Sequence, residues 1–233
     1  MMDETDFEIF VCISKNKYQI YVFDKNKLEN LYHEELNTNK FNFEDLTDFS
    51  MFLDKNIYKI EKLVGNFIKN IVLIITNDNN LNVNIAIKKN FFDKSVKQKY
   101  LESILTEIKD LFLENYQDQM IMHMIVDNYI VNDQKYSKFE NNLLSNNLGL
   151  EVNFVSISKD LVFLIDKILE NYQIKISQYM SGTYVKNFFN DDKSDISIMA
   201  HRLKNGYNEN EVVLVPKNIE NKGFFEKFFQ LFS

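Results

Sequence analysis

The chain has 233 residues, with 27 Lys and Arg against 34 Asp and Glu and a formal net charge of −7. No basic surplus is left to neutralise phosphates, which excludes bulk nucleic-acid binding; one Cys excludes a disulfide framework and a Cys-based zinc site. Hydrophobic residues at 45%, with 21 Phe and 12 Tyr, supply a packed core, yet no apolar run reaches the ~18–20 residues of a membrane-spanning helix.

Glu8–Ser14 and Tyr18–Phe23 are β-branched and aromatic runs around Lys15-Asn16-Lys17 and read as a hairpin. The basic segment of a cleavable signal is missing before them, where Asp3, Glu4 and Asp6 stand, so a cytoplasmic address is expected. Leu28–Leu36 reads as a third antiparallel strand. Apolar residues at Phe49, Phe52, Leu53, Ile57, Ile60, Leu63, Val64 and Phe67 follow helical spacing, with Asp45, Thr47 or Asp48 as the N-cap. Ile71–Thr76 is a short continuous apolar run, the pattern of a buried strand.

A second unit follows. Leu81–Lys88 alternates, with Leu81, Val83, Ile85 and Ile87 on one face, so it is a strand with one wet side. Ser95–Asn115 is helical by period. Met120–Val131 and Leu148–Ser158 read as two long strands joined by an Asn-rich loop. Lys159–Tyr172 is an amphipathic helix and Ile174–Tyr179 a strand. After the polar break at 190–195, Ile196–Lys204 is a short amphipathic helix closed by Asn205-Gly206. The fold class expected from this order is α+β.

The chain ends on a Phe-rich segment. At 100° per residue, Phe224, Phe225, Phe228, Phe229, Leu231 and Phe232 fall within an arc of about 160°. Glu226, Lys227 and Gln230 take the other side, and Gly223 with the spacer Lys217–Lys222 detaches the segment from what precedes it. A helix this short orders only against a surface. Tethered, amphipathic and aromatic, it is expected to bind a membrane interface through its apolar rings, with Lys222 and Lys227 as the only cations. The competing reading is a last helix docked on the core of a soluble scaffold.

Catalytic chemistry is not legible. His123 in the run Met120–Met124 reads as a structural histidine, and His33-Glu34-Glu35 lacks the i, i+4 spacing of a helical zinc site. Cys12 lies in an apolar strand with no base beside it. Neither G-x-G-x-x-G nor G-x-x-x-x-G-K-[ST] occurs. The expectation is a protein that is not an enzyme and takes no metal or cofactor.

Several short strings, in order, resemble FtsA, the actin-like bacterial cell-division family that anchors FtsZ filaments to the membrane. Cys12-Ile13-Ser14-Lys15-Asn16-Lys17 stands where that family carries its first phosphate hairpin. Tyr129-Ile130-Val131-Asn132-Asp133-Gln134 echoes a Tyr-x-Ile/Val-Asp-Gly-Gln string, Asp160–Tyr179 a helix and strand, and Gly223–Phe232 the membrane helix. The resemblance implies a partial actin-like (ribonuclease H-like) lobe with an inserted 1C or SHS2-type subdomain and a C-terminal amphipathic helix. Its parts would be residues 1–80 and 173–206 for the lobe, 81–172 for the insert, 207–222 for a linker and 223–233 for the membrane helix. The Asp and Gly of the phosphate hairpin are missing, no second glycine-rich hairpin follows, and no second lobe is legible; no ATP binding is expected. The implied role is a membrane-tethering adaptor on the inner face of the cell membrane. Its partners would be FtsZ or another divisome protein, with self-association through the insert. The alternative is an adaptor of a pilus or secretion machine like PilM, a protein of the same actin-like ancestry.

Overall fold

A computed structural model of the chain describes residues 6–38, 46–77, 80–91, 98–139, 145, 147–190 and 192–213. They group into two units. The first holds residues 6–80 and Ser158–Tyr207, and the second holds Leu81–Ile157 with residues 208–213.

The first unit opens with an antiparallel meander of β1 (Phe7–Ser14), β2 (Lys17–Asp24) and β3 (Glu29–Asn37). The first turn is only two residues long, since Ser14 pairs with Lys17. Helix α1 (Thr47–Val64) follows, and then β4 (Asn70–Thr76) pairs parallel to β1. The N-cap of α1 is Leu46, with no side-chain cap; Thr47 and Asp48 lie inside the first turn and Asp45 lies outside the described residues. Gly65 ends the helix at φ 77°, a left-handed conformation open to residues without a Cβ.

The chain then builds the second unit: β5 (Leu81–Asn90), α2 (Gln98–Asn115), β6 (Gln119–Val131), β7 (Gln134–Tyr136) and β8 (Asn147–Ser158). Its sheet has the order β5-β8-β6-β7. The alternation of β5 does what period 2 requires: Val83, Ile85 and Ile87 turn to the core, where Leu101, Ile104, Leu105, Ile108 and Phe112 of α2 meet Leu150, Val152 and Phe154 of β8. The β6–β7 turn, Asn132-Asp133, has φ of 51° and 61°, the paired left-handed conformation of a type I′ hairpin.

Back in the first unit, α3 (Lys159–Glu170), β9 (Lys175–Ser181), α4 (Gly182–Phe188) and α5 (Ile196–Lys204) complete it. The sheet order is β3-β2-β1-β4-β9, antiparallel from β3 to β1 and parallel from β1 to β9. That order, a meander continued by two parallel strands with helices on its faces, is an α+β arrangement. Both faces are covered, so β1 and β4 are apolar on both. Tyr18 packs against Phe49 and Phe52 of α1 on one face. On the other, Phe10, Cys12, Val72 and Ile74 meet Val185 of α4 and Met199, Ala200 and Leu203 of α5.

Two boundaries differ from the sequence reading. Helix α3, grouped there with the inserted segment 81–172, packs in the first unit, where Tyr179 of β9 donates to Asp166 at 2.8 Å and Tyr172 to Asp54 at 2.6 Å. Residues 208–213, read as linker, form part of the second unit. Helix α4 was not foreseen; seven residues carry too little periodicity to register.

Candidate functional site

In a parallel sheet, ligands bind outside the carboxyl ends of the strands. Here those ends belong to β1, β4 and β9, and they present Ser14, Thr76 and Ser181. Each is engaged locally. Ser14 Oγ donates to the Lys17 carbonyl at 3.0 Å, which ties the short hairpin shut. Lys17, the cation of that hairpin, reaches across to Glu35 of β3 at 3.1 Å. Ser181 is buried and caps α4, accepting from Tyr184 N–H at 3.3 Å and from the Asn80 amide at 3.4 Å.

The tightest contact is at Gly182. A Cβ there would stand 2.1 Å from Thr76 Oγ1 and 3.3 Å from Ile74 Cγ2. The Thr76 and Ile74 side chains at the end of β4 therefore lie directly against the backbone at the start of α4, and glycine is needed for that close approach. In a phosphate-binding loop, glycine lets several N–H groups converge on an anion. Here the same residue type closes the strand ends against each other.

The remaining reactive residues are also accounted for. Burial pushes the Cys12 thiol up to about 12, with Lys186 and Lys17 pulling weakly the other way. It is a protonated core group and no nucleophile at neutral pH. His33 stacks on Tyr21 with ring centroids 4.3 Å apart, while Glu34 and Glu35 turn to Lys59 and Lys17 respectively. Asp133 pairs with Lys88. Among the described residues, no group of three His, Cys, Asp or Glu stands together as a metal site.

His123 is the buried member of a pair that sequence reasoning did not find. Its Nδ1 lies 2.6 Å from Glu211 Oε1, with the imidazole fully enclosed. Glu211 arrives on residues 208–213, which lie along β6: Val126 N–H donates to the Asn210 carbonyl at 2.9 Å and Val212 N–H to the Met124 carbonyl at 2.8 Å. Lys138 pairs with Glu209, and Asn210 donates to the Ser137 carbonyl. The chain is thus clasped to the second unit immediately before residue 214. The spacing from His123 to Glu211 is 88 positions, so no local motif marks it.

The membrane-binding residues expected from the sequence, Lys222, Phe224, Phe225, Lys227, Phe228, Phe229, Leu231 and Phe232, lie outside the described residues. Among the described residues, no helix is long and apolar enough to cross a membrane.

No protein-family model matches the chain, and no curated protein matches it. Several solved structures are similar, three of them as follows. One is the cytoplasmic domain of EpsL, an inner membrane component of the type II secretion system of Vibrio cholerae, at 9% identity and TM-score 0.35 over 77% of this chain and 57% of that one. Another is a PilM–PilN type IV pilus biogenesis complex, at 7% identity and TM-score 0.45 over 78% and 49%. The third is a Bacteroides thetaiotaomicron protein with an actin-like ATPase fold and unknown function, at 13% identity and TM-score 0.32 over 81% and 58%. The chain spans between 49% and 58% of the length of these structures.

Proposed function

We propose that this chain is a non-catalytic adaptor, a protein that holds other proteins of a membrane-associated machine and turns over no substrate. The observation that carries this reading is the closure of the strand ends, where Thr76 lies against Gly182 and Ser181 is spent capping α4. A triphosphate requires a glycine-bearing loop with convergent N–H donors, and the β1–β2 turn is Lys15-Asn16. What the fold offers instead is surface. The ten-residue β5 is a terminal strand of its sheet, the kind of edge that accepts an added strand from a partner or a second copy.

The finer reading is an adaptor of a pilus or secretion machine; type II secretion and type IV pilus biogenesis, the settings of the EpsL domain and the PilM–PilN complex, are the machines to test first. The second reading is an FtsA-like division adaptor, with Leu81–Ile157 in the role of a 1C or SHS2-type subdomain. It is favoured by the Phe-rich segment after Gly223, which suits attachment to the inner face of a membrane. FtsZ or another divisome protein would then be the partner.

In-cell crosslinking with a tagged full-length chain tests the adaptor reading. Enrichment of the components of one membrane machine is expected, and their identity separates pilus or secretion from division. Recovery of the chain alone would contradict it. Sedimentation with liposomes tests the membrane contact: the full chain should pellet and a chain ending at Lys217 should not. Both remaining in the supernatant would remove that part of the reading.

A further inference from the structure

At the end of the first unit's sheet opposite the closed strand ends lies a cleft of about 360 Å³. Its floor is apolar: Ile9 and Val72 on the central strands, and Ile68 in the loop before β4, are all buried. At its margin stands Phe67, 79% exposed, the most exposed large hydrophobic residue described. The lining also carries Lys25, Lys69 and Lys204 against a single carboxylate, Glu8.

Two details show that the cleft is built. Ser177 occupies a register shift between β4 and β9, where Ile71 pairs with Ile176 and Val72 with Gln178. Its hydroxyl donates to the Ile71 carbonyl at 2.9 Å, so the extra residue is held in the cleft wall. Glu8 is turned toward α5, where its oxygens take Lys204 at 2.5 Å and His201 at 2.7 Å. The one acid of the lining is committed to that pair.

We propose that this cleft is a docking site for a short acidic segment of a partner protein that inserts one large apolar side chain beside Phe67. The choice of partner follows from charge and shape. The chain as a whole carries a net charge of −7, while the lining of this concavity, beside the Glu8–Lys204 pair, holds Lys25 and Lys69 and no second carboxylate. Its volume suits one or two side chains, and an exposed aromatic at the rim of an apolar floor is the usual anchor of a peptide contact. The proposal rests on the adaptor reading for the existence of a partner and adds where and what that partner touches.

The test is a titration of the full ¹⁵N-labelled chain with the acetylated hexapeptide Asp-Glu-Phe-Leu-Asp-Glu, followed by amide shifts. Shifts grouped at Phe7–Ile9, Phe67–Asn70 and Ser177 are expected. Binding should fall at least fivefold in Phe67→Ser and in Lys69→Glu, both exposed positions, with amide spectra away from the cleft unchanged. Equal shifts with Lys-Lys-Phe-Leu-Lys-Lys, shifts elsewhere, or none would overturn the proposal. Shifts reproduced by inorganic phosphate would also overturn it, by making the cleft a small-anion site. In-cell crosslinking of the same variants separates this inference from the adaptor reading. Partners retained by Phe67→Ser and Lys69→Glu would reject the cleft and keep the adaptor; no partner for the unaltered chain would reject the adaptor, while the titration still decides the cleft.

Discussion

Gly182 is the residue on which the closed strand ends depend. Replacing it by Ala forces a methyl group to within 2.1 Å of Thr76 Oγ1, and overpacking of this kind costs about 2 kcal/mol. Urea unfolding of Gly182→Ala should show that loss, and adding Thr76→Ala should restore most of it. Cys12 gives a second expectation. With its thiol held protonated by burial, it should resist a thiol reagent at about pH 8 in the folded chain and react at once in urea. Glu8 gives a third. Burial raises its carboxyl, but the hydrogen bonds from Lys204 and His201 outweigh that and hold it below the ordinary 4.5. A depressed carboxyl contributes stability that is complete above the unfolded value and is lost as pH falls through the folded one. The urea midpoint should therefore drop between about pH 5 and pH 3, and drop less in Glu8→Gln. Of these three residues only Cys12 was legible in the sequence, from the apolar run around it. The Gly182–Thr76 and Glu8–Lys204 contacts join positions 106 and 196 apart, and no local pattern encodes them.

Among the elements, those with a strong period were readable and those made by tertiary contact were not. The alternation of β5 and the helical stripe of α1 each point to one face: the structure partly buries Val83, Ile85 and Ile87, and buries Phe49, Phe52, Leu53, Ile57, Ile60 and Val64, while Leu63 is exposed and Phe67 lies exposed beyond the end of α1, because the helix stops at Gly65. The stop of α5 was equally plain: Gly206 at φ 82° donates to the Leu203 carbonyl and Tyr207 N–H to the Arg202 carbonyl, the paired bonds of a Schellman motif. Residues 208–213 show the opposite case. Their place on β6 comes from the His123–Glu211 pair and two backbone hydrogen bonds, and nothing in the run Asn208–Val213 announces it. The β6–β7 turn lies between these extremes. Asn132-Asp133 fills a type I′ turn that prefers Asn-Gly, and Asp133 sits at φ 61°. Asp133→Gly should therefore raise stability by about 0.5–1 kcal/mol in urea unfolding. The surface pair with Lys88 that it removes is worth little, since Asp133 is 83% exposed.

For the whole molecule, the sheet order β3-β2-β1-β4-β9 joins a meander to two parallel strands; the meander, helix and fourth strand follow from the element sequence, while periodicity alone set Ile174–Tyr179 with the second unit. Contacts set α3 with the first unit, and its amphipathic stripe could not announce this, since a stripe says which face is buried and not what buries it. The proposed function leans on the strand ends, where Gly182 lies against the Thr76 hydroxyl and Ser181 caps α4. The most direct measurement is isothermal titration of the full chain with Mg-ATP. No binding heat is expected at any concentration up to about 1 mM, the range in which a P-loop or actin-like site would saturate. Saturable micromolar binding would contradict the account, because it would require those strand ends to open and the adaptor to be a nucleotide-dependent one.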